Sequence, residues 1–74
     1  MKITYSRDAD AAYIYLKEGI KEVRTVRLTE DIALDYGPNE VLVGIEILSA
    51  SEYLDLHGDP PTVSLKNLKA VTVP

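Results

Sequence analysis

The chain has 74 residues, no cysteine, and twelve acidic against eight basic residues, for a formal net charge of −4. Such a length allows one domain that buries only about 60% of its unfolded surface, so we expect added stability from a homodimer. Acidic charge repels phosphate backbones and anionic lipid, and no apolar run approaches membrane length, so we expect neither direct nucleic-acid binding nor membrane association.

The first two thirds of the chain alternate apolar and polar residues with the period of β-strands. This alternation predicts strands over residues 2–5, 11–17, 22–28, 32–36 and 41–48. The first residues alternate as a strand does and lack the continuous apolar core of a signal peptide. We therefore expect a cytoplasmic protein. The links are too short for parallel crossovers, which predicts a single antiparallel β-meander sheet of four to five strands.

The fifth predicted strand carries the strongest core signal. Its odd positions are all β-branched: Val41, Val43, Ile45 and Ile47. We expect this face to lie in the core. Gly44 is unusual in a strand interior and predicts either a β-bulge or a close approach of another group to the backbone.

The period changes after the fifth strand. Ser49 and Glu52 have the spacing of a capping box, in which both side chains satisfy free backbone N–H groups at the start of a helix. This predicts one short helix over residues 50–56, with Gly58 as a left-handed residue at its end.

The tail of the chain follows two consecutive prolines, Pro60 and Pro61. We expect a helical turn over residues 64–68 and a last strand over residues 70–73, packed on the chain's own sheet or swapped onto a partner. The predicted fold is therefore one α+β domain in three parts: a β-meander over 1–48, a short helix over 49–58 and a tail over 59–74.

Asp8 and Asp10 lie in the polar link between the first two strands. An Asp-x-Asp pair is compatible with a hard-cation site, but a calcium loop needs further oxygen donors at fixed offsets, and Ala11, Ala12 and Tyr13 follow instead. Aspartates in such links commonly accept hydrogen bonds from nearby backbone N–H groups, so we prefer turn chemistry to metal binding.

Three tyrosines, Tyr5, Tyr13 and Tyr15, fall on the first two strands. Tyr13 and Tyr15 share a face, which is either a half-buried layer of the core or a contact surface for another protein. Proteins that bind single-stranded nucleic acid combine such rings with a cationic groove, which this acidic chain lacks. We favour the core and keep the interface as the alternative.

Glu46 is flanked by Ile45 and Ile47. A partly desolvated carboxylate can act as a general acid or base, but the sequence contains no convincing second catalytic group. The preferred interpretation is that Glu46 pairs with Arg24, Arg27 or a tyrosine hydroxyl on a neighbouring strand.

No recognised catalytic, nucleotide-binding or metal-binding motif occurs, and the single histidine, His57, has no ligand or triad spacing. We therefore expect no enzymatic activity, no catalytic residue, no cofactor and no metal. The candidate interaction surface consists of six residues: Tyr5, Asp8, Asp10, Tyr13, Tyr15 and Glu46. The alternative is a small-ligand-binding or hydrolytic enzyme that uses Glu46 and Asp10 in a dimer cleft.

Three blocks of sequence resemble the YuzE-like family of small uncharacterised prokaryotic proteins, a domain of unknown function. The blocks are residues 1–5 (MKITY), 9–16 (ADAAYIYL) and 44–51 (GIEILSAS). Two positions depart from the family pattern. Ser6 stands where an aspartate is usual, and Ala12 stands where a larger aliphatic residue is usual.

The resemblance implies no established enzymatic activity and assigns no catalytic role to the motif residues. Some similar genes lie beside small toxin-like genes, which implies an antitoxin or partner-binding role. Our leading hypothesis is therefore a small non-enzymatic protein-interaction module that acts as a homodimer, in an antitoxin-like role towards a small basic protein. A domain whose role comes entirely from its own assembly is a further alternative.

Overall fold

The structure is a computed structural model that describes residues 1–58 and 62–63. Its main feature is a five-stranded antiparallel sheet. The strands are β1 (Lys2–Ser6), β2 (Ala11–Tyr15), β3 (Arg24–Arg27), β4 (Ile32–Tyr36) and β5 (Leu42–Leu48). A small second sheet pairs β6 (Leu56–His57) with β7 (Thr62–Val63). The predicted strands and their antiparallel direction are confirmed.

The order of the strands across the sheet is β1-β2-β5-β4-β3. The predicted meander is therefore wrong at one connection, because β2 bonds to β5 and not to β3. Residues 16–23 carry the chain past β5 and β4, a distance of about 14 Å at the usual strand spacing. This order places β5, the longest and most apolar strand, at the centre, where both of its edges form hydrogen bonds.

One face of the sheet is apolar. Its best-packed part is a cluster of Ala12, Ile47 and Ala50, against which five partly buried side chains pack: Tyr5, Ile14, Ile32, Ile45 and Leu54. The buried apolar side chains of the described region are otherwise only Ala33 and Val43. Because most of these residues are small, the core is thin.

The prediction for β5 is only partly confirmed. Val43 and Ile47 are buried and Ile45 is half-buried, but Val41 is 37% exposed. The register explains the difference: Asp35 of β4 pairs with Gly44 and Tyr36 pairs with Leu42, so Val43 is an extra residue in a β-bulge. A bulge interrupts the alternation of faces and removes Val41 from the core pattern.

The predicted helix over residues 50–56 is wrong. The chain forms a short 3-10 turn at Ala50–Glu52, and Ser49 has a left-handed φ of 51° without a side-chain cap. The carbonyl of Asp10 accepts the Ala50 N–H and its carboxylate accepts the Ser51 N–H, so these groups need no capping box. The fold is therefore mostly β and not α+β.

The end of the chain is described only in part. Gly58 has the predicted positive φ, 80°, but it follows a strand and not a helix. The helical turn predicted over residues 64–68 and the strand predicted over 70–73 lie outside the described residues. Within the described residues, no helix has the length and hydropathy needed to cross a bilayer.

Candidate functional site

The face of the sheet opposite the apolar one, here called the polar face, carries Tyr13. Gly44 allows the Tyr13 ring to lie against the backbone of β5 on this face. A Cβ atom at position 44 would lie 2.1 Å from the Tyr13 hydroxyl oxygen and 2.5 Å from the ring carbon that carries it. Real side chains do not approach so closely, so only glycine permits this position of the ring. The predicted close approach at Gly44 is confirmed, and the β-bulge lies directly beside it.

Tyr13 is the centre of a hydrogen-bonded group on this face. Its hydroxyl donates to Asp35 Oδ2, and the Thr25 hydroxyl donates to Asp35 Oδ1 at 2.5 Å. The Tyr13 and Tyr15 rings have centroids 4.5 Å apart, and the Lys2 Nζ lies 4.9 Å from the centre of the Tyr15 ring. Burial, and next the bond to Asp35, raise the pKa of Tyr13 to about 12, so its hydroxyl is a donor at neutral pH.

Glu46 lies opposite Tyr13 on the same face. Arg27 Nη2 donates to Glu46 Oε1 at 2.9 Å, and Arg27 Nη1 donates to the carbonyl of Glu30. The predicted pairing of Glu46 with Arg27 is confirmed, but Arg27 is not on a neighbouring strand, because β4 lies between β3 and β5. The side chains are 48% and 41% exposed, so this is a surface ion pair whose contribution to stability is small.

Asp10 joins the two loops at one end of the sheet. Its Oδ1 accepts the Tyr5 hydroxyl at 2.8 Å and the Ser51 N–H at 3.0 Å, while its Oδ2 accepts the Ser51 hydroxyl at 2.7 Å. The Ser51 hydroxyl, and then Tyr5, hold the pKa of Asp10 below its ordinary value, and the bond to Asp10 raises the pKa of Tyr5. Asp10 is thus a residue that connects the β1–β2 turn to the turn after β5.

The partner of Asp10 was missed by sequence reasoning, which anticipated a nearby backbone N–H. Ser51 is 41 residues away in the chain. The only sequence signal was that both residues belong to the blocks that carry the family resemblance. That signal identified the two ends of the contact without showing that they meet.

The six candidate residues do not form one site. Tyr5 and Asp10 bond to each other beside the apolar face, whereas Tyr13, Tyr15 and Glu46 share the polar face. Asp8 is exposed in the β1–β2 turn. The structure therefore does not bring Asp10 and Glu46 together within one chain, and both carboxylates already have hydrogen-bond donors.

A strip of aliphatic side chains, here called the apolar row, crosses the apolar face. The pairing registers align one residue from each of the five strands: Ile3, Ile14, Ile45, Leu34 and Val26. All five are half-buried. At a strand spacing of about 4.8 Å the row is about 19 Å long. Sequence reasoning missed the row because it depends on which strands are neighbours.

An open cleft lies at the start of β3, next to the turn between β4 and β5. Arg24 crosses it: its guanidinium pairs with Glu40 and lies 5.2 Å from the centre of the Tyr36 ring. The cation of this cleft is thus already engaged by a carboxylate and an aromatic ring.

Comparison with known proteins places the sheet in a family. A family model described as "Protein of unknown function (DUF2283)" matches residues 2–51, which include both Asp10 and its partner Ser51. The uncharacterized protein MJ0789 of Methanocaldococcus jannaschii is 41% identical over 56 residues, 76% of this chain and 47% of the relative. The chain therefore spans about half the length of this curated relative, and no solved structure matches. The resemblance seen in the sequence is confirmed: the chain belongs to the DUF2283 family of proteins of unknown function.

Proposed function

We propose that the protein is a non-enzymatic protein-interaction module that works as a homodimer and binds its partner through the apolar row. The observation that supports this function is the row itself, in which one aliphatic residue from each strand of the five-stranded sheet is only half-buried. A contiguous apolar strip on a small domain is typical of surfaces that other proteins cover. The thin core supports the same proposal, since the described buried apolar residues include three alanines.

The partner that we propose is a small basic protein, as in an antitoxin that neutralises a basic toxin. The charge of the chain supports this chemistry, because its net charge is −4. Several acidic side chains are exposed in the loops: Asp8, Glu18, Glu22, Glu30, Glu52 and Asp55. Such a surface attracts a basic partner over distances of about 10 Å at 0.1 M salt.

β3 provides a matched pair of variants to test the row. Val26 belongs to the row, whereas its neighbour Thr25 lies on the polar face, where it bonds to Asp35. The full chain carrying a tag is to be recovered from its native host as wild type, as Val26→Lys and as Thr25→Lys. We expect a stoichiometric basic partner with the wild type and Thr25→Lys, and loss of that partner with Val26→Lys.

Two results would contradict the proposal. Recovery of the chain alone, without any stoichiometric partner, would contradict the proposed interaction function. Retention of the partner by a folded Val26→Lys variant would remove the row as the binding surface. For the charge argument, the affinity of the purified pair should fall as salt concentration rises, and an affinity independent of salt would contradict a basic partner.

A further inference from the structure

The sheet has two outer strands, and β3 is protected against pairing with another chain. It has only four residues, and it begins and ends with arginine. Arg24 pairs with Glu40, and Arg27 reaches across β4 to pair with Glu46 of β5, so each end of this short strand carries a charged side chain. Short outer strands that carry charge disfavour the addition of another strand.

β1, the other outer strand, lacks this protection. It has five residues without a proline, and its register with β2 is regular. Its one charged side chain is Lys2, whose Nζ lies over the Tyr15 ring of β2 and is therefore directed towards the sheet and away from the open edge. Among the strands that the structure describes, β1 pairs with β2 alone. Within that part of the chain, the hydrogen-bonding groups on one side of the β1 backbone therefore face no partner strand.

The sequence of β1 is complementary to itself in an antiparallel arrangement. If a two-fold axis passes beside Thr4, then Thr4 faces its own copy, Ile3 faces Tyr5 and Lys2 faces Ser6. Directly opposed residues in antiparallel strands share a face. Ile3 and Tyr5, which both belong to the apolar face, would thus remain there together, and no like charges would be opposed.

We infer that a second copy of this chain pairs with the β1 edge, with Thr4 at the two-fold axis, to form one continuous sheet of ten strands, two sets of five. This inference rests on the proposed homodimer and names the surface that forms it. Ile3 is the outermost member of the apolar row on this side. The pairing therefore brings the two rows onto one continuous apolar face, offset by two residues along β1 and linked through Tyr5, and doubles the apolar surface available to a partner.

The absence of cysteine from the chain makes a direct test simple. Opposed residues in antiparallel strands have Cα atoms about 4.5 to 5.5 Å apart, a separation that a disulfide bond can span. We expect Thr4→Cys to form a covalent dimer under mild oxidation. Thr25→Cys, the same substitution on the polar face of the other outer strand, should stay monomeric on a non-reducing gel under the same conditions.

A second test uses charge at the axis. Thr4→Lys and Thr4→Glu each oppose two like charges, so each variant alone should sediment as a monomer, whereas an equimolar mixture should form a heterodimer. Two results with a dimeric wild type would overturn the β1 interface: Thr4→Cys that does not cross-link, or charged variants that both remain dimeric. Either result would leave the homodimer itself standing. A wild type that is monomeric at every concentration would overturn both.

Discussion

At the residue scale, Gly44 and Asp10 have effects that extend beyond their own strands. Gly44 permits the Tyr13 ring to lie on the backbone of β5, and Asp10 connects two loops through Tyr5 and Ser51. The sequence singled out Gly44 as unusual in a strand interior and Asp10 as one of two aspartates in a turn. It predicted the role of Gly44 correctly, because a glycine inside a strand has few physical explanations. It did not identify Ser51, because an aspartate in a turn has many available donors.

Replacement of Gly44 by alanine should lower the free energy of unfolding by about 1–3 kcal/mol, because the added Cβ displaces Tyr13 from its bond to Asp35. Urea unfolding of the purified variant measures the change. In a Tyr13→Ala background the same substitution should cost little, since alanine is otherwise preferred to glycine in strands. An equal loss in both backgrounds would show that Tyr13 is not the cause.

Asp10 should make stability depend on pH in the acidic range. Its pKa is lowered in the folded protein by Ser51 and Tyr5, so its contribution is complete above the unfolded pKa, about 3.9, and is lost as the pH falls through the lower folded value. Unfolding free energies of wild type and Asp10→Asn across this range should differ most at the higher pH and converge at the lower.

The control for this experiment is Asp8→Asn. Asp8 is exposed in the same turn and takes no part in the contact with Ser51. Its replacement should leave the pH dependence of the wild type unchanged. If Asp8→Asn and Asp10→Asn had the same effect, the contact with Ser51 would not be the source of the dependence.

At the element scale, the turn between β4 and β5 contains a strained residue. Glycine, proline and asparagine at positions 37–39 are typical of turns, and the structure places a short 3-10 turn at Pro38–Glu40. Asn39 and Glu40 both have positive φ angles, 64° and 60°. Asparagine tolerates this region, but glutamate has no short polar group that compensates for the steric cost.

Glu40→Gly should therefore raise the free energy of unfolding by about 1 kcal/mol, because it removes the cost of a left-handed glutamate and loses only an exposed ion pair with Arg24. Thermal unfolding provides the measurement. Asn39→Gly, at the neighbouring left-handed position, should raise stability less. A larger gain at position 39 than at position 40 would be inconsistent with this explanation.

The prediction of a helix after β5 was wrong because it relied on a local signal. A capping box is a local signal, since its two side chains bond to N–H groups within one turn. Here the N–H groups of Ala50 and Ser51 bond to Asp10, which is distant in sequence. A tertiary contact thus replaced the local one, and the chain formed a short turn where the local pattern favoured a helix.

At the scale of the whole molecule, the sheet buries few large side chains. The buried apolar residues of the described region are Ala12, Ala33, Val43, Ile47 and Ala50. A domain of this size has little stability to spare, and association adds buried surface. The small number of large buried side chains therefore supports the proposed homodimer as much as the apolar row does.

The midpoint temperature of unfolding should therefore rise with protein concentration, because dissociation accompanies unfolding of a dimer. Calorimetry over a range of about 100-fold in concentration would detect the change. Thr4→Lys should abolish the dependence, whereas Thr25→Lys, on the other outer strand, should retain it. A wild-type midpoint that is independent of concentration would contradict the homodimer.

The sequence by itself determined where the strands lie, that they run antiparallel, that Gly44 marks a β-bulge or a close approach, and that the chain belongs to its family. These properties depend on local alternation, short links and single special residues. Only the tertiary structure decided that β5 lies at the centre, that Asp10 meets Ser51 and that five aliphatic residues align in one row. Each of these depends on which distant segments become neighbours, and alternation along a strand is the same whichever strand lies beside it.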